Sequence, residues 1–153
     1  MQRIKKGIPG FSMIVYTGGT FDIPHTGHME LFDYCRRYAG KHGKVVVALN
    51  TDEFVFRFKK VYPIMTYEER KKIISNIKSI DKVIVNIGNE DSKKTILKVK
   101  PDVVIIGMDW IERDYCKQMN FNANWLNKHK IAVIYVPRTT NNSTTKIKEK
   151  IRA

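Results

Sequence analysis

MIVYTGGTFDIPHTGH, residues 13–28, is the stretch on which the reading of this chain turns. The apolar run Met13–Tyr16 has the character of a buried strand. Gly18 and Gly19 then break it, and an amphipathic segment opens near His25. The layout is strand, glycine turn, helix. Glycine lets backbone N–H groups approach an anion closely, and a helix N-terminus adds positive dipole at the same place. His25 and His28 stand at i and i+3, so they share one face of that helix. The segment therefore predicts a phosphate cradle with two titratable donors aimed into it. It has neither the G-x-G-x-x-G spacing of a dinucleotide site nor the G-K-[ST] of a P-loop.

The same alternation continues along the chain. KVVVAL (44–49), KVIV (82–85), DVVIIG (102–107) and IAVIYV (131–136) are continuous rather than alternating apolar runs. That pattern predicts strands of a parallel sheet covered on both faces. Between them lie helical stripes. Leu31, Phe32, Cys35, Tyr38 and Ala39 form one, stopped by Gly40 and Gly43. Ile73, Ile74, Ile77 and Ile80 form a second, opened by a Thr66-x-x-Glu69 capping box. Ile96, Leu97 and Val99 mark a third, ended by Pro101. A fourth is expected from about Arg113 to His129, with a break near Asn120–Asn124, and a terminal helix from Thr144 to Ile151. The stretch Phe54–Phe58 reads as an aromatic-rich loop. The expected fold is an α/β open parallel sheet of about five strands with helices on both faces. Ligands in such sheets bind beyond the carboxyl ends of the strands, at the switch point.

A chain of 153 residues fits one domain. We read residues 1–12 as a basic N-terminal extension and 13–153 as the domain. No run approaches the ~18 apolar residues of a membrane span, and the N-terminus lacks the apolar core and cleavage site of a signal peptide. Cys35 and Cys116 lie far apart without metal spacing, so buried thiols and a cytoplasmic setting are expected. The net charge of +13 favours a polyanionic ligand, either a nucleoside triphosphate or a nucleic acid. The charge is spread over separate elements, and no nucleic-acid-binding signature accompanies it. His42 and His129 are expected at helix ends as caps or exposed side chains.

GTFD-x-x-H-x-G-H resembles the signature of the cytidylyltransferase family, within the wider nucleotidyltransferase superfamily. TDEF (51–54), Lys59–Lys60, YEER (67–70), Gly107–Trp110 and PRT…STTKIK (137–148) extend the resemblance over nearly all of the chain after residue 12. In order and spacing these segments are similar to the glycerol-3-phosphate branch of that family. The resemblance implies a single Rossmann-like domain and direct in-line attack of a phosphomonoester on the α-phosphorus of a nucleoside triphosphate. It implies that His25 and His28 bind the triphosphate and stabilise the reacting phosphorus. Thr17, Gly18, Gly19, Thr20 and Phe21 are then the nucleotide-binding loop. Arg70 would contact the triphosphate; the bland alternative is an arginine snorkelling at the sheet edge. Lys59 and Lys60 would sit by the acceptor and nucleotide phosphates, with Lys60 catalytic, or else form a solvated pair. Asp22 and Trp110 would serve the acceptor, and Asp109 the nucleotide. Arg138, Thr139, Ser143 and Thr144 would form the β/γ-phosphate site at a capped helix start.

The family pattern RTxGISTT is here RTTNNSTT, so Asn141 and Asn142 replace Gly and Ile. Asn tolerates left-handed backbone, so the turn is expected to survive, and acceptor identity is the property this departure touches. Residues 112–130 form an additional helical region beyond a minimal glycerol-3-phosphate enzyme. No carboxylate or Cys/His cluster has metal spacing, and Mg²⁺ is expected to arrive with the triphosphate, held by its oxygens and water. The leading expectation is transfer of CMP from CTP to a small phosphomonoester, glycerol 3-phosphate first, by a homodimer that supplies wall or capsule precursors. Alternatives are a phosphocholine, phosphoethanolamine or sugar-phosphate acceptor, an ATP-dependent adenylyltransferase, a nucleic-acid-binding module and an idle regulatory relative.

Overall fold

The computed structural model describes residues 12–88, 91–108, 122–139 and 141–153. Within them lie β1 (Ile14–Gly19), α1 (Thr26–Ala39), β2 (Lys44–Leu49), α2 (Asp52–Lys59), α3 (Tyr67–Ser75) and β3 (Lys82–Val85). They are followed by α4 (Lys93–Val99), β4 (Val103–Gly107), α5 (Ala123–His129), β5 (Ala132–Val136) and α6 (Thr144–Arg152). The five strands form one sheet in the order β3-β2-β1-β4-β5. Each neighbouring pair is parallel, with Ile14 opposite Lys44 and Val103 opposite Ala132 in register. The chain steps outward from β1 to β3, then returns to place β4 on the other side of β1. The switch point between β1 and β4 is where an open α/β sheet leaves a crevice.

The alternation of side chains explains why the strand runs are continuously apolar. Val15, Val45, Val47, Leu49 and Ile105 face one layer with Phe32 and Cys35 of α1 and Ile74 of α3. Tyr16, Ala48, Val104 and Ile106 face the other with Ile96 of α4, and Trp125 and Leu126 of α5 pack against it. Both faces are covered, as the sequence predicts.

Three expectations change. Residues 52–59 are a helix, not a loop. Thr51 caps it by accepting from Phe54 N at 3.2 Å, Asp52 and Glu53 occupy its first turn, and Arg57 and Lys59 its last. Those caps outweigh the alternating Phe54, Phe56 and Phe58, whose period of two obscures a helix. The second stripe is shorter than expected. α3 ends at Ser75, and Ile77 and Ile80 follow in turns closed by Ile77 N to Ile74 O and Ile80 N to Ile77 O. Of the fourth helix only α5 falls among the described residues, capped by Asn122 accepting from Trp125 N at 3.0 Å. Residues 1–11 of the expected extension, Cys116 and residues 112–121 of the additional region lie outside them. Cys35 is a buried free thiol. Among the described residues no helix is long and apolar enough to cross a membrane.

Candidate active site

A cavity of about 320 Å³ opens beyond the carboxyl ends of β1 and β4, where Gly18, Gly19, Ile106 and Gly107 all line it. Its rim is the start of α1. His25 is the N-cap of that helix, and its Nδ1 accepts from Gly27 N at 3.0 Å. His28, at the third helical position, accepts on its own Nδ1 from His25 N at 3.4 Å. This is a capping box in which two imidazoles replace the usual hydroxyl and carboxylate. A backbone N–H can only donate, so each Nδ1 must be an unprotonated acceptor. Each ring then carries its proton on Nε2, and the box presents two outward N–H donors. The rings are stacked with centroids 3.8 Å apart.

Electrostatics reinforces that state. Burial, then the proximity of His25 and Arg138, pushes the His28 pKa down to about 3, against an opposing pull from Asp22. His25 is lowered by burial and by Arg138. Both are neutral donors at neutral pH. Gly27 is the residue that permits this packing. A Cβ there would lie 2.8 Å from His25 Cε1 and 3.2 Å from an Arg138 guanidinium nitrogen.

The loop between β1 and α1 is strained and tightly held. Phe21 and Ile23 have φ of 51° and 46°, in the left-handed region that costs a non-glycine residue about 1–2 kcal/mol. Asp22 between them offsets this. Its carboxylate accepts from Ile64 N at 2.8 Å and Met65 N at 2.9 Å, with Lys148 Nζ 3.7 Å away. Its carbonyl accepts from Thr144 Oγ1 at 2.8 Å. The result sets the Phe21 ring edge-on to His28, centroids 5.2 Å apart. Asp22, expected at the acceptor, is thus 6% exposed and committed to holding the loop. It also lines a second cavity of about 190 Å³ together with His28, Lys59, Thr144 and Lys148.

Arg70 departs further from expectation. It is fully buried and lines neither cavity. Its guanidinium donates to Thr20 O at 2.7 Å, Met65 O at 3.1 Å and Asp52 Oδ1 at 2.7 Å. The anion it meets is Asp52, whose other oxygen accepts from Tyr67 N at 3.0 Å. A buried guanidinium must spend its donors on polar partners, and three bonds of Arg70 go to the Thr20 carbonyl, the Met65 carbonyl and Asp52. The lysine pair divides. Lys59 lines both cavities, whereas Lys60 is the exposed, left-handed C-cap of α2 (φ 63°) and lines neither. Lys60, expected to be catalytic, thus lies outside both cavities.

On the β5 side, Arg138 lines the main cavity and donates to Asn142 O at 2.6 Å. That contact holds the Asn142 backbone from the cavity side. Thr139 N donates to Glu30 Oε1 at 2.8 Å and its hydroxyl to Glu30 Oε2. Those two bonds, first the side-chain one, lower the Glu30 pKa. Ser143 caps α6 by accepting from Lys146 N at 3.0 Å. Asp109 and Trp110 lie outside the described residues.

Sequence reasoning passes over several residues that build the cavity. Asn50 Nδ2 donates to Thr20 Oγ1 at 3.1 Å, Asn86 Nδ2 to Asn50 Oδ1 at 2.9 Å, and Thr95 Oγ1 to Asn86 Oδ1 at 2.9 Å. Polar residues directly after strands β2 and β3 are the available signal. Thr17, expected in the nucleotide loop, also lines the cavity, and its buried Oγ1 has no hydrogen-bond partner among the described residues. Such an atom is costly unless a ligand or water satisfies it. Thr17, Gly18, Gly19, Thr20, Phe21, His28 and Arg138 are thus brought together around one cavity, whereas His25, expected with them, lines neither cavity and stacks on His28.

The comparisons with known proteins agree with this geometry. A family model described as cytidylyltransferase-like matches residues 16–150. A glycerol-3-phosphate cytidylyltransferase of Bacillus subtilis is 37% identical over 139 residues, 90% of this chain and 95% of that protein. An FAD synthase of Korarchaeum cryptofilum is 31% identical over 138 residues, 90% of each chain. Among solved structures, a lipopolysaccharide core biosynthesis protein from Thermoplasma volcanium superposes with a TM-score of 0.64 at 26% identity. That match covers 86% of this chain and all of the other. The strand order with its switch point, the histidine-capped helix over the crevice and these matches lead to one conclusion: the chain belongs to the cytidylyltransferase-like family.

Proposed function

We propose that the protein transfers CMP from CTP to a small phosphomonoester, with glycerol 3-phosphate as the leading acceptor, and releases pyrophosphate. The observation that carries this reading is the histidine capping box at the start of α1, in which His28 lines the cavity beside Arg138 as a neutral Nε2–H donor and the His25 ring stacks on it. An acceptor phosphate oxygen attacks the α-phosphorus. A new P–O bond forms as the bond to the β-phosphate oxygen breaks, and pyrophosphate leaves. The attacking oxygen is already ionised, so no general base is needed, and neutral imidazoles suffice. Their task is electrostatic: hydrogen bonds to oxygens on which charge accumulates in the transition state. Arg138, with the first N–H groups of α6, gathers the leaving pyrophosphate. Lys59 draws the acceptor phosphate to the opposite side.

Among the described residues no group of three His, Cys, Asp or Glu side chains could hold a metal ion. We propose that Mg²⁺ arrives on the triphosphate oxygens with water as its other ligands, where it neutralises charge. We further propose a homodimer acting in the cytoplasm on precursors of a wall or capsule polymer; light scattering tests the dimer.

A second reading has specific support: the FAD synthase relative covers as much of the chain as the glycerol-3-phosphate enzyme does. It substitutes ATP for CTP and riboflavin phosphate for glycerol 3-phosphate in the same displacement. Pyrophosphate release separates the two. CTP, ATP, GTP and UTP are crossed with glycerol 3-phosphate, riboflavin phosphate, phosphocholine, phosphoethanolamine and sugar phosphates in the presence of Mg²⁺. Release with CTP and glycerol 3-phosphate alone is expected. Release with ATP and riboflavin phosphate alone establishes the second reading, and release with none refutes both.

A further inference from the structure

In-line displacement requires the acceptor to enter opposite the leaving pyrophosphate. Arg138 follows β5, at one edge of the sheet, so the acceptor enters from the β2–β3 side. There the cavity ends on a floor unlike its rim. Tyr16 and Gly18 share the face of β1 that looks toward α4. Tyr16 is 1% exposed, and its hydroxyl is hydrogen-bonded to Ser92, itself 3% exposed at the N-cap position of α4. Both line the cavity. A Cβ at Gly18 would stand 3.2 Å from the Tyr16 hydroxyl, so the glycine leaves that end of the phenol its space.

The packing around Tyr16 does not call for a hydroxyl. Its neighbours Ala48, Ile96, Val104 and Ile106 are apolar. An aliphatic side chain would satisfy them without the desolvation cost of a buried hydroxyl. The polar end of Tyr16 points instead to a requirement of the cavity. Asn50 and Asn86 line the same end, and Asn50 Nδ2 retains a second hydrogen beyond the one given to Thr20. Among the described residues lining the cavity, Glu30 is the lone carboxylate, and it is engaged by Thr139.

We propose that Tyr16 and Ser92 are the acceptor-selecting pair: their hydroxyls read a neutral, hydroxyl-bearing group on the body of the acceptor, on a floor whose described residues offer a cationic head group no counter-charge. This rests on the transferase reading above. The shared chemistry, a phosphate ester on a hydroxylated carbon chain, occurs both in glycerol 3-phosphate and in the ribityl chain of riboflavin phosphate.

The test is steady-state pyrophosphate release by the full-length wild type, Tyr16→Phe and Ser92→Ala. Glycerol 3-phosphate with CTP, riboflavin phosphate with ATP, and phosphocholine with CTP are the three arms. Tyr16→Phe removes one oxygen and keeps the ring. The expected result is turnover in one hydroxylated arm, with acceptor KM raised roughly tenfold in each variant. The nucleotide KM stays at its wild-type value in both variants. Phosphocholine runs at least about a hundredfold lower in kcat/KM, as a missing counter-charge dictates. Unchanged acceptor KM in both variants overturns the selecting role. So does efficient use of phosphocholine, which leaves the transferase reading standing. No release in any arm removes the transferase reading and the selecting role with it.

Discussion

On the rim of the cavity at α1 and β5, polar groups are titratable or charged and are fixed by backbone. On the β2–β3 side, apart from Lys59 at the end of α2, they are neutral amides and hydroxyls fixed by one another. His25 and His28 are locked by reciprocal caps, and Arg138 by a backbone carbonyl. Asn50, Asn86 and Thr95 form a chain of side-chain hydrogen bonds ending at Thr20. The contrast teaches a division of labour. In the proposed reading, chemistry common to any triphosphate is placed on a helix terminus, where donors and dipole exist already, and discrimination between acceptors falls to neutral groups, whose hydrogen bonds penalise a mismatched partner. Thr20 anchors the neutral chain, since its hydroxyl accepts from Asn50 and its carbonyl from the buried Arg70.

The largest effect is expected at that anchor. Arg70→Ala leaves Asp52 without its partner and Thr20 O and Met65 O without donors, which costs about 3–5 kcal/mol. A urea midpoint measures it; a loss under about 1 kcal/mol would mean the anchor is not held through Arg70. Next comes His28→Ala. One transition-state donor and half of the capping box disappear, so kcat falls roughly 10²–10³-fold while stability drops by only about 1 kcal/mol. Equal losses in rate and stability would instead make the histidine pair a structural cap. Gly27→Ala is subtler. Its Cβ displaces the His25 ring, and a misplaced donor costs about tenfold or more in kcat. Alanine favours the helix, so folding is expected to hold.

A further effect is a pH dependence. His28 titrates at about 3 in the folded chain against 6.5 for the free side chain, with burial as the main cause. Below 6.5 the unfolded chain binds more protons than the folded one. The contribution to stability is therefore full above about 6.5 and is lost as pH falls from there toward 3. Chemical denaturation between pH 7 and 4 measures this. Nitrogen shifts of the imidazoles at pH 7 should report Nε2–H tautomers for both rings. A protonated Nδ1 on either would break the capping-box account.

The charged rim was legible in the sequence and the neutral floor was not. H-x-G-H after a glycine turn carries its own spacing, and the strands beneath it are unbroken apolar runs. Thr66-x-x-Glu69 announced α3, and the capping box is present. By contrast, Tyr16 and Ser92 lie 76 positions apart in the chain (92 − 16), and the turn of the fold alone brings them together. Arg70 was legible as a residue that must meet an anion, but its partner Asp52 sits on α2, a helix hidden by alternating phenylalanines. The spacing of Lys59–Lys60 could not tell which lysine faces inward, because that depends on where α2 ends. Asp22 was assigned by motif to a ligand. Its actual partners, Ile64 N and Met65 N, come from a loop more than forty residues away.

The central claim is that the histidine-capped helix start performs nucleotidyl transfer. ³¹P NMR of the protein mixed with CTP, Mg²⁺ and glycerol 3-phosphate tests it directly, with ATP and riboflavin phosphate as the parallel sample. The account predicts free pyrophosphate together with a coupled pair of diphosphate resonances in one sample, both absent on the same timescale with His28→Ala. Nucleotide resonances that stay unchanged in both samples, or product that forms equally fast without the His28 imidazole, would contradict it.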